Sequence, residues 1–540
     1  MDKAGKAQIS VGFVLFLIAW SFLSYLSLRD NVIGLLSDSY IYLLLSDFFS
    51  PHRTLDSSFA EYLLANYSYP PGFPIVLGAL GGGSMNLTSN YLIDAGFLAG
   101  TIAVFYTWLT CQSTGKIVAL SLSVVFLLLP VTLLSGLGIF SEHLFMLAVL
   151  LAALLLSTTQ PSRSKLYTAA AIIGFATIVR TIGIAALFAF AVSLFVQRRN
   201  HATPWPRIFL CLLIAIAPSV CWSVIKSLNG YEQSYVDSVM YNSYWETTTS
   251  VLKQVPINLR AMWHYTGSIL GNGVTFAKYI HLFICVVIVL GWLQRIRECS
   301  FDSVYVLAYL GIILVWPYPN HMERFLLVLL PFLLFYATVG MGNISRLVGD
   351  KPDNTAVKSI TGIALCSLLA LTAAPKTISI IRDIVSPPDV DFAALVKTPN
   401  WHTTPENVRE RKLMALEKIV ESMNAIEQLT PADACISSGE PHYMHYFARR
   451  RSNKPPPKTA SDEIFEKRLS DCPFIFMMSV ASHPPSEFPP MYPFYRVQNT
   501  MEVLDVAFFD NERKKGTVRS MLVATGAARD YRPPGANTRP

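Results

Sequence analysis

The sequence predicts a polytopic α-helical membrane protein of about eleven transmembrane helices, followed by a small C-terminal α/β domain in water. Three observations carry this. Of 540 residues, 52% are hydrophobic and only 15% charged, against about 25% charged in soluble globular chains. The charge is divided unevenly: residues 1–375 hold 37 charged side chains and residues 376–540 hold 42. Apolar runs near the roughly 20 residues that span a bilayer recur through the first part and stop before the second. This composition excludes a soluble enzyme, a disordered chain and a disulfide scaffold.

The apolar runs fall at about 9–28, 91–111, 117–134, 142–157, 207–226, 276–293, 303–318, 323–341 and 359–375. Stretch 166–196 is too long for one span and is interrupted at Arg180, which divides it into two short helices. Basic clusters at Lys3/Lys6, Lys116, Arg163/Lys165, Arg198/Arg199/Arg207, Arg295/Arg297 and Arg346/Lys351/Lys358 then fall on alternate ends. Positive loops face the cytoplasm. The N-terminus is therefore cytoplasmic, and an odd number of spans puts the C-terminal domain outside. The first run follows Lys3 and Lys6 as a signal peptide would, but no small-residue cleavage site follows it. An uncleaved anchor results.

Two large outer loops remain, 29–90 and 227–275. Long loops of this kind are commonly functional. Within the first, Tyr69 to Leu80 is short and rich in Pro and Gly, which suits an interfacial or half-inserted helix. The second part, 376–528, reads as a small α/β domain: a helix over Glu406–Gln428, strand-like Ala434–Ser438 and Phe474–Val480, a segment around Pro441–Arg451, and two further runs near Met501–Phe509 and Val518–Ala524. Residues 529–540 read as a disordered tail. Cys435 and Cys472 are the two cysteines of this part. In an extracytoplasmic domain they could form a disulfide, or both could be buried thiols.

Ionisable groups near a membrane are costly and rare, which makes each a functional candidate. On the topology above a few gather at the outer face: Asp38, Asp47, Glu142, His143, Arg180, His321, Glu323 and Arg324. Asp38 could act as a general base or cap a helix, since Ser37-Asp38-Ser39 precedes an apolar run. Asp47 fits a solvated helix face. A guanidinium stays charged at any physiological pH and suits phosphate, so Arg180 and Arg324 are candidate phosphate ligands. A structural pairing with Glu142 or Glu323 is their alternative. His321 and Glu323 could bind a divalent metal or orient Arg324.

Four short segments, together with the tail, resemble the GT-C superfamily of integral-membrane glycosyltransferases. The likeness is nearest to protein O-mannosyltransferases and the lipid A aminoarabinose transferase. The segments are Ser37-Asp38-Ser39-Tyr40-Ile41-Tyr42, Tyr69-Pro70-Pro71-Gly72-Phe73-Pro74, Ser141-Glu142-His143-Leu144-Phe145 leading to Gly174–Arg180, and Tyr318-Pro319-Asn320-His321-Met322-Glu323-Arg324-Phe325. The tail segments Thr430–Ala434 and Tyr446–Ser452 are similar to the outer domain of such enzymes.

The resemblance implies a sugar donor on a polyprenyl phosphate, an extracytoplasmic acceptor (lipid, glycan or protein), and inverting transfer. It gives Asp38 the catalytic role and Arg180 and Arg324 the donor phosphate, with Glu142, His143, His321, Glu323, Tyr40 and Tyr69 in support. Many relatives carry an adjacent acidic pair in the first outer loop, whereas Ser39 follows Asp38 here. A divalent metal is left open. Modest size and a small tail point to a bacterial inner membrane, and nothing points to nucleic acid. The rival classes are a transporter or flippase of lipid-linked sugars and a non-catalytic envelope-assembly protein.

Overall fold

In the computed structural model, the apolar runs of the first part are mainly helical over their described residues. The structure describes residues 3–30, 37–51, 55–67, 69–158, 161–201, 203–231, 248–269, 277–316, 319–347, 355–385, 426–438, 441–453, 462–478, 502–508, 518–525 and 528. Residues 1–31, 49–52 and 63–386 form one compact unit. Its long helices begin with α1 (Lys3–Asp30). The chain then contributes α2 (Ser37–Phe49), α3 (Ser57–Asn66), α4 (Gly72–Ala79), α5 (Leu87–Cys111), α6 (Lys116–Leu128) and α7 (Pro130–Gly136). Next come α8 (Ser141–Leu155), α9 (Arg163–Val179), α10 (Ile184–His201), α11 (Trp205–Leu228) and α12 (Thr248–Ile269). The set closes with α13 (Ala277–Arg297), α14 (Phe301–Leu314), α15 (Met322–Leu347) and α16 (Thr355–Val385).

Seven described helices are long and apolar enough to cross a membrane, and α6 with α7 would make an eighth. That pair bends by 58° because Pro130 lacks an N–H and its ring forces Leu129 into an extended conformation (φ −62°, ψ 137°). The remaining three expected spans are α8, α9 and α14, of 15, 17 and 14 residues. At about 1.5 Å per residue each falls short of a hydrocarbon core of about 30 Å. Stretch 166–196 divides at Arg180 into α9, a 3₁₀ turn over Thr181–Gly183, and α10.

Two outer-loop expectations sharpen. Helix α4 has eight residues, about 12 Å of helix, which cannot cross a membrane. Loop 227–275 is not without structure, because it holds the amphipathic helix α12. Buried Asn258 on α12 donates to the carbonyls of Ile313, Leu314 and Trp316 at 3.0, 2.9 and 2.7 Å. It thereby satisfies the C-terminal carbonyls of α14, which a helix end leaves without partners.

Close backbone approach sets the packing of α13 on α15. A Cβ on Gly291 would collide with the Tyr336 carbonyl, and one on Gly340 with the Val287 carbonyl. Small residues let membrane helices approach this closely. At one end of the pair Arg295 grips Asp302 at 2.7 and 3.3 Å, and the Tyr336 hydroxyl donates to the same carboxylate at 3.1 Å. Burial of that carboxylate is supported by three hydrogen bonds from two helices.

Residues 32–48, 53–62 and 387–540 form a second unit, so the stretch 29–90 is shared between the two units. Its five-stranded sheet contains β1 (Cys435–Ser438), β2 (Arg451–Asn453), β3 (Phe474–Met478), β4 (Glu502–Phe508) and β5 (Val518–Ala524). The order is β2-β1-β3-β5-β4, with β1 parallel to β2 and β3 and the remaining pairs antiparallel. Helices α17 (Pro441–Tyr446) and α18 (Asp462–Asp471) connect the parallel strands. Phe465 and Leu469 of α18 pack on Ile475, Met477 and Val523 of the sheet. Cys435 and Cys472 are joined by a disulfide. Of the expected helix 406–428 only its last residues are described, and 529–540 lie outside the described residues.

Helix α2 packs within this unit. The Tyr40 ring lies 4.9 Å from Tyr446, 5.4 Å from Tyr443 and 5.7 Å from Phe447, centroid to centroid. Asp47, expected on a solvated face, is instead 5% exposed and interacts with the Arg449 guanidinium. Its helix face is covered by aromatic residues some 400 positions away in sequence, which periodicity alone does not reveal.

Two predictions test this packing. Gly340→Val should loosen α13 from α15 and lower stability by about 1–3 kcal/mol, the usual cost of overpacking, measured by thermal unfolding in detergent. Burial pushes the His445 imidazole down to about 3 from its ordinary 6.5. The folded unit then resists a proton that the unfolded chain accepts. Stability should therefore fall as pH drops from 6.5 toward 3, by up to about 1.4 kcal/mol per pH unit. Melting curves of His445→Gln should show a shallower pH slope than those of the wild type.

Candidate active site

The first unit carries a buried charge cluster at the start of α8. Glu142 and Ser141 occupy its first turn, where the helix dipole favours a carboxylate. Arg180 ends α9 in an extended conformation (φ −146°, ψ 136°), and Arg324 lies in the first turn of α15. Both arginines converge on Glu142. Arg180 reaches Glu142 Oε1 at 2.6 Å and donates to the Ser141 hydroxyl at 2.9 Å. Arg324 donates from Nη2 to Oε2 at 3.0 Å, and its Nε forms an ion pair with Oε1. Glu142 is fully buried, whereas each arginine side chain keeps 14% exposure. The cations thus have a partly open side and the carboxylate has none.

Glycines bring the backbone to this point. A Cβ on Gly72, the first residue of α4, would lie 2.7 Å from the Ile178 carbonyl, two residues before Arg180. One on Gly183 would lie 2.8 Å from the Ala176 carbonyl, and one on Gly174 would lie 2.9 Å from the Ala215 carbonyl of α11. The end of α9 is therefore held from three sides. On the other side, buried Tyr309 donates to the Phe325 carbonyl at 3.2 Å, which ties α14 to the first turn of α15.

A second buried pair stands beside the first. His143 Nδ1 lies 2.7 Å from Asp94 Oδ2, and the Phe140 N–H donates to the same oxygen at 3.3 Å. The Phe140 ring meets the His143 ring edge-on at 5.8 Å, and the Arg324 guanidinium lies 5.5 Å from the Phe140 centroid. Asp94 thus positions a turn that supports Arg324. Sequence reasoning overlooked Asp94 and Phe140 and gave Ser141 no role of its own. Asp94 was accessible to it, as an acidic residue inside the apolar run 91–111, where charge is expensive.

The structure brings Glu142, Arg180 and Arg324 together and places His143 at their flank. Of the two carboxylates weighed as arginine partners, Glu142 takes both. Glu323 interacts instead with Lys376 and His264, and His321 is exposed in the preceding 3₁₀ turn. Among the described residues, no three His, Cys, Asp or Glu side chains gather as a metal site would need. Tyr69 stacks on Tyr67 at 5.7 Å in the lead-in to α4. Asp38 and Tyr40 belong to the second unit. Asp38 is half-buried inside the first turn of α2, so it is a dipole-favoured carboxylate within the helix rather than the cap before it.

Glu142→Ala would leave two guanidinium groups facing each other. Breaking a buried ion pair from one side costs about 3–5 kcal/mol. Glu142→Gln keeps hydrogen-bond acceptance and should cost less. Denaturation of the purified variants in detergent measures the order Ala below Gln below wild type.

No protein-family model and no curated protein sequence matches the chain. Solved structures do. The crystal structure of ArnT from Cupriavidus metallidurans bound to undecaprenyl phosphate is similar with a TM-score of 0.51 at 13% identity, covering 96% of this chain and 98% of that one. The apo form of the same protein gives 0.51 and 13%, covering 97% and 99%. At this identity the likeness concerns architecture, and it runs nearly end to end on both chains. This chain therefore shares its overall fold with ArnT.

Proposed function

We propose that the protein is a membrane glycosyltransferase that moves a sugar from a polyprenyl-phosphate donor to an acceptor outside the cytoplasm. The observation that carries this reading is the Glu142-bridged pair Arg180 and Arg324. Two guanidinium groups converge there, each still partly exposed while the carboxylate is fully buried, an arrangement suited to phosphate. Each guanidinium has five donors in a planar fork that matches phosphate geometry. The ArnT structure holds undecaprenyl phosphate, a ligand of the class that such a cluster would take. The disulfide Cys435–Cys472 supports an oxidising compartment for the second unit, in line with an inner-membrane protein whose C-terminal domain faces outward.

The chemistry is a single displacement. The acceptor oxygen or nitrogen attacks the anomeric carbon, its proton passes to Asp38, and the bond from that carbon to the phosphate oxygen breaks. The configuration inverts and a polyprenyl phosphate leaves. The leaving group changes from a phosphodiester to a phosphomonoester and so gains negative charge. Arginines held in place by Glu142 would bind that developing charge more tightly than the ground state, which is how preorganised donors accelerate a reaction. Asp94 and His143 serve by holding the Phe140 turn beneath Arg324. Asp38 supplies the base.

Purified protein supplied with radiolabelled polyprenyl-phosphate sugar and envelope acceptors should consume donor, which a transporter or scaffold would not do. Asp38→Asn should lower turnover by about 10²- to 10⁴-fold, the usual share of general-base catalysis. Arg324→Ala should weaken donor binding by about 10- to 100-fold, as loss of a charged hydrogen bond does. Wild-type turnover in Asp38→Asn, or unchanged donor affinity in Arg324→Ala, would remove the corresponding role.

A further inference from the structure

The second unit holds a cleft of about 440 Å³ at the β2 end of its sheet, within the roughly 300–1,000 Å³ usual for small-ligand sites. We infer that this cleft binds a saccharide, and on the proposed function that saccharide belongs to the acceptor. The floor is apolar, with Phe474 buried in it, and the rim carries Asp433, Asp471, Arg451 and Asn453. Tyr62 forms the remaining wall.

The lining chemistry selects the ligand. Sugar hydroxyls both donate and accept, and the rim offers both complements: carboxylates that accept, and a guanidinium and an amide that donate. A pyranose also presents apolar C–H faces, which suit the floor. An anion would meet two carboxylates against one guanidinium. A simple cation would leave the floor and Arg451 unused.

A peptide is disfavoured by the sheet edge itself. β2 is an edge strand, and an exposed edge invites strand addition. Here the Tyr62 hydroxyl donates to the Ser452 carbonyl at 2.8 Å and accepts from the Ser452 N–H at 3.2 Å. The central backbone groups of the edge are therefore occupied by a side chain. The Tyr62 ring is fixed by His445 edge-on at 5.6 Å and stacked Phe59 at 6.2 Å, and the Arg451 guanidinium lies 5.6 Å from its centroid. The wall is rigid before any ligand arrives. Rigid walls lower the ordering cost of binding.

The test uses the full chain in detergent, without donor, and saturation-transfer NMR with methyl glucoside, glucosamine, glucuronate and a basic hexapeptide. The glucoside and glucosamine should receive saturation, and glucuronate should receive less. Asp433→Asn combined with Asp471→Asn should weaken sugar binding by about tenfold or more through the lost charged hydrogen bonds. Both aspartates are exposed, so the variant should keep the wild-type melting temperature. Absence of sugar binding, binding unchanged in the double variant, or tighter binding of the peptide would each overturn the proposal. Because no donor is present, failure here is distinct from failure of the transfer reaction.

Discussion

The first unit depends on one electrostatic constraint: a fully buried carboxylate must be paired. Glu142 meets it with two guanidinium groups from distant points in the sequence, one at the end of α9 and one at the start of α15. Three helix termini are thereby fixed to one another. Replacing such an arrangement by apolar residues often stabilises a protein, so stability by itself is a weak reason to keep it. On the proposed function, binding of the donor phosphate is a stronger one.

Backbone proximity makes the pairing possible. Gly72, Gly174 and Gly183 let three neighbours close on the end of α9 at distances a side chain would forbid, so Arg180 emerges from a fixed base. The Asp94–His143 pair does similar work through Phe140 on the Arg324 side. Preorganisation of this kind is what separates a transition-state ligand from a flexible surface arginine. Arg180 itself is extended between α9 and the 3₁₀ turn that follows it.

The second unit is built by different physics. Its parallel strands are joined by short helices, its core is a few apolar side chains on α18 and the sheet, and a disulfide closes a loop of 37 residues. A bridge of that span stabilises a small domain by about 2–4 kcal/mol. The unit also incorporates α2, far earlier in the chain, through the aromatic cluster around Tyr40. The candidate base Asp38 is thus carried on an element of this unit, while the candidate phosphate ligands are carried by the first.

The architecture class was legible in the sequence because hydrophobic run length and charge density are local properties. The apolar runs, the break at Arg180, the strands near 435 and 474, and Glu142, Arg180 and Arg324 as the residues worth weighing were all legible there. It offered two partners for the arginines, and only tertiary structure selected Glu142 over Glu323. Which cation meets which carboxylate depends on helix packing over distances that local pattern does not encode. The same reason hid the burial of Asp47, the Asp94–His143 pair, and helix α12 inside an outer loop. Each is settled by what a distant segment places against it.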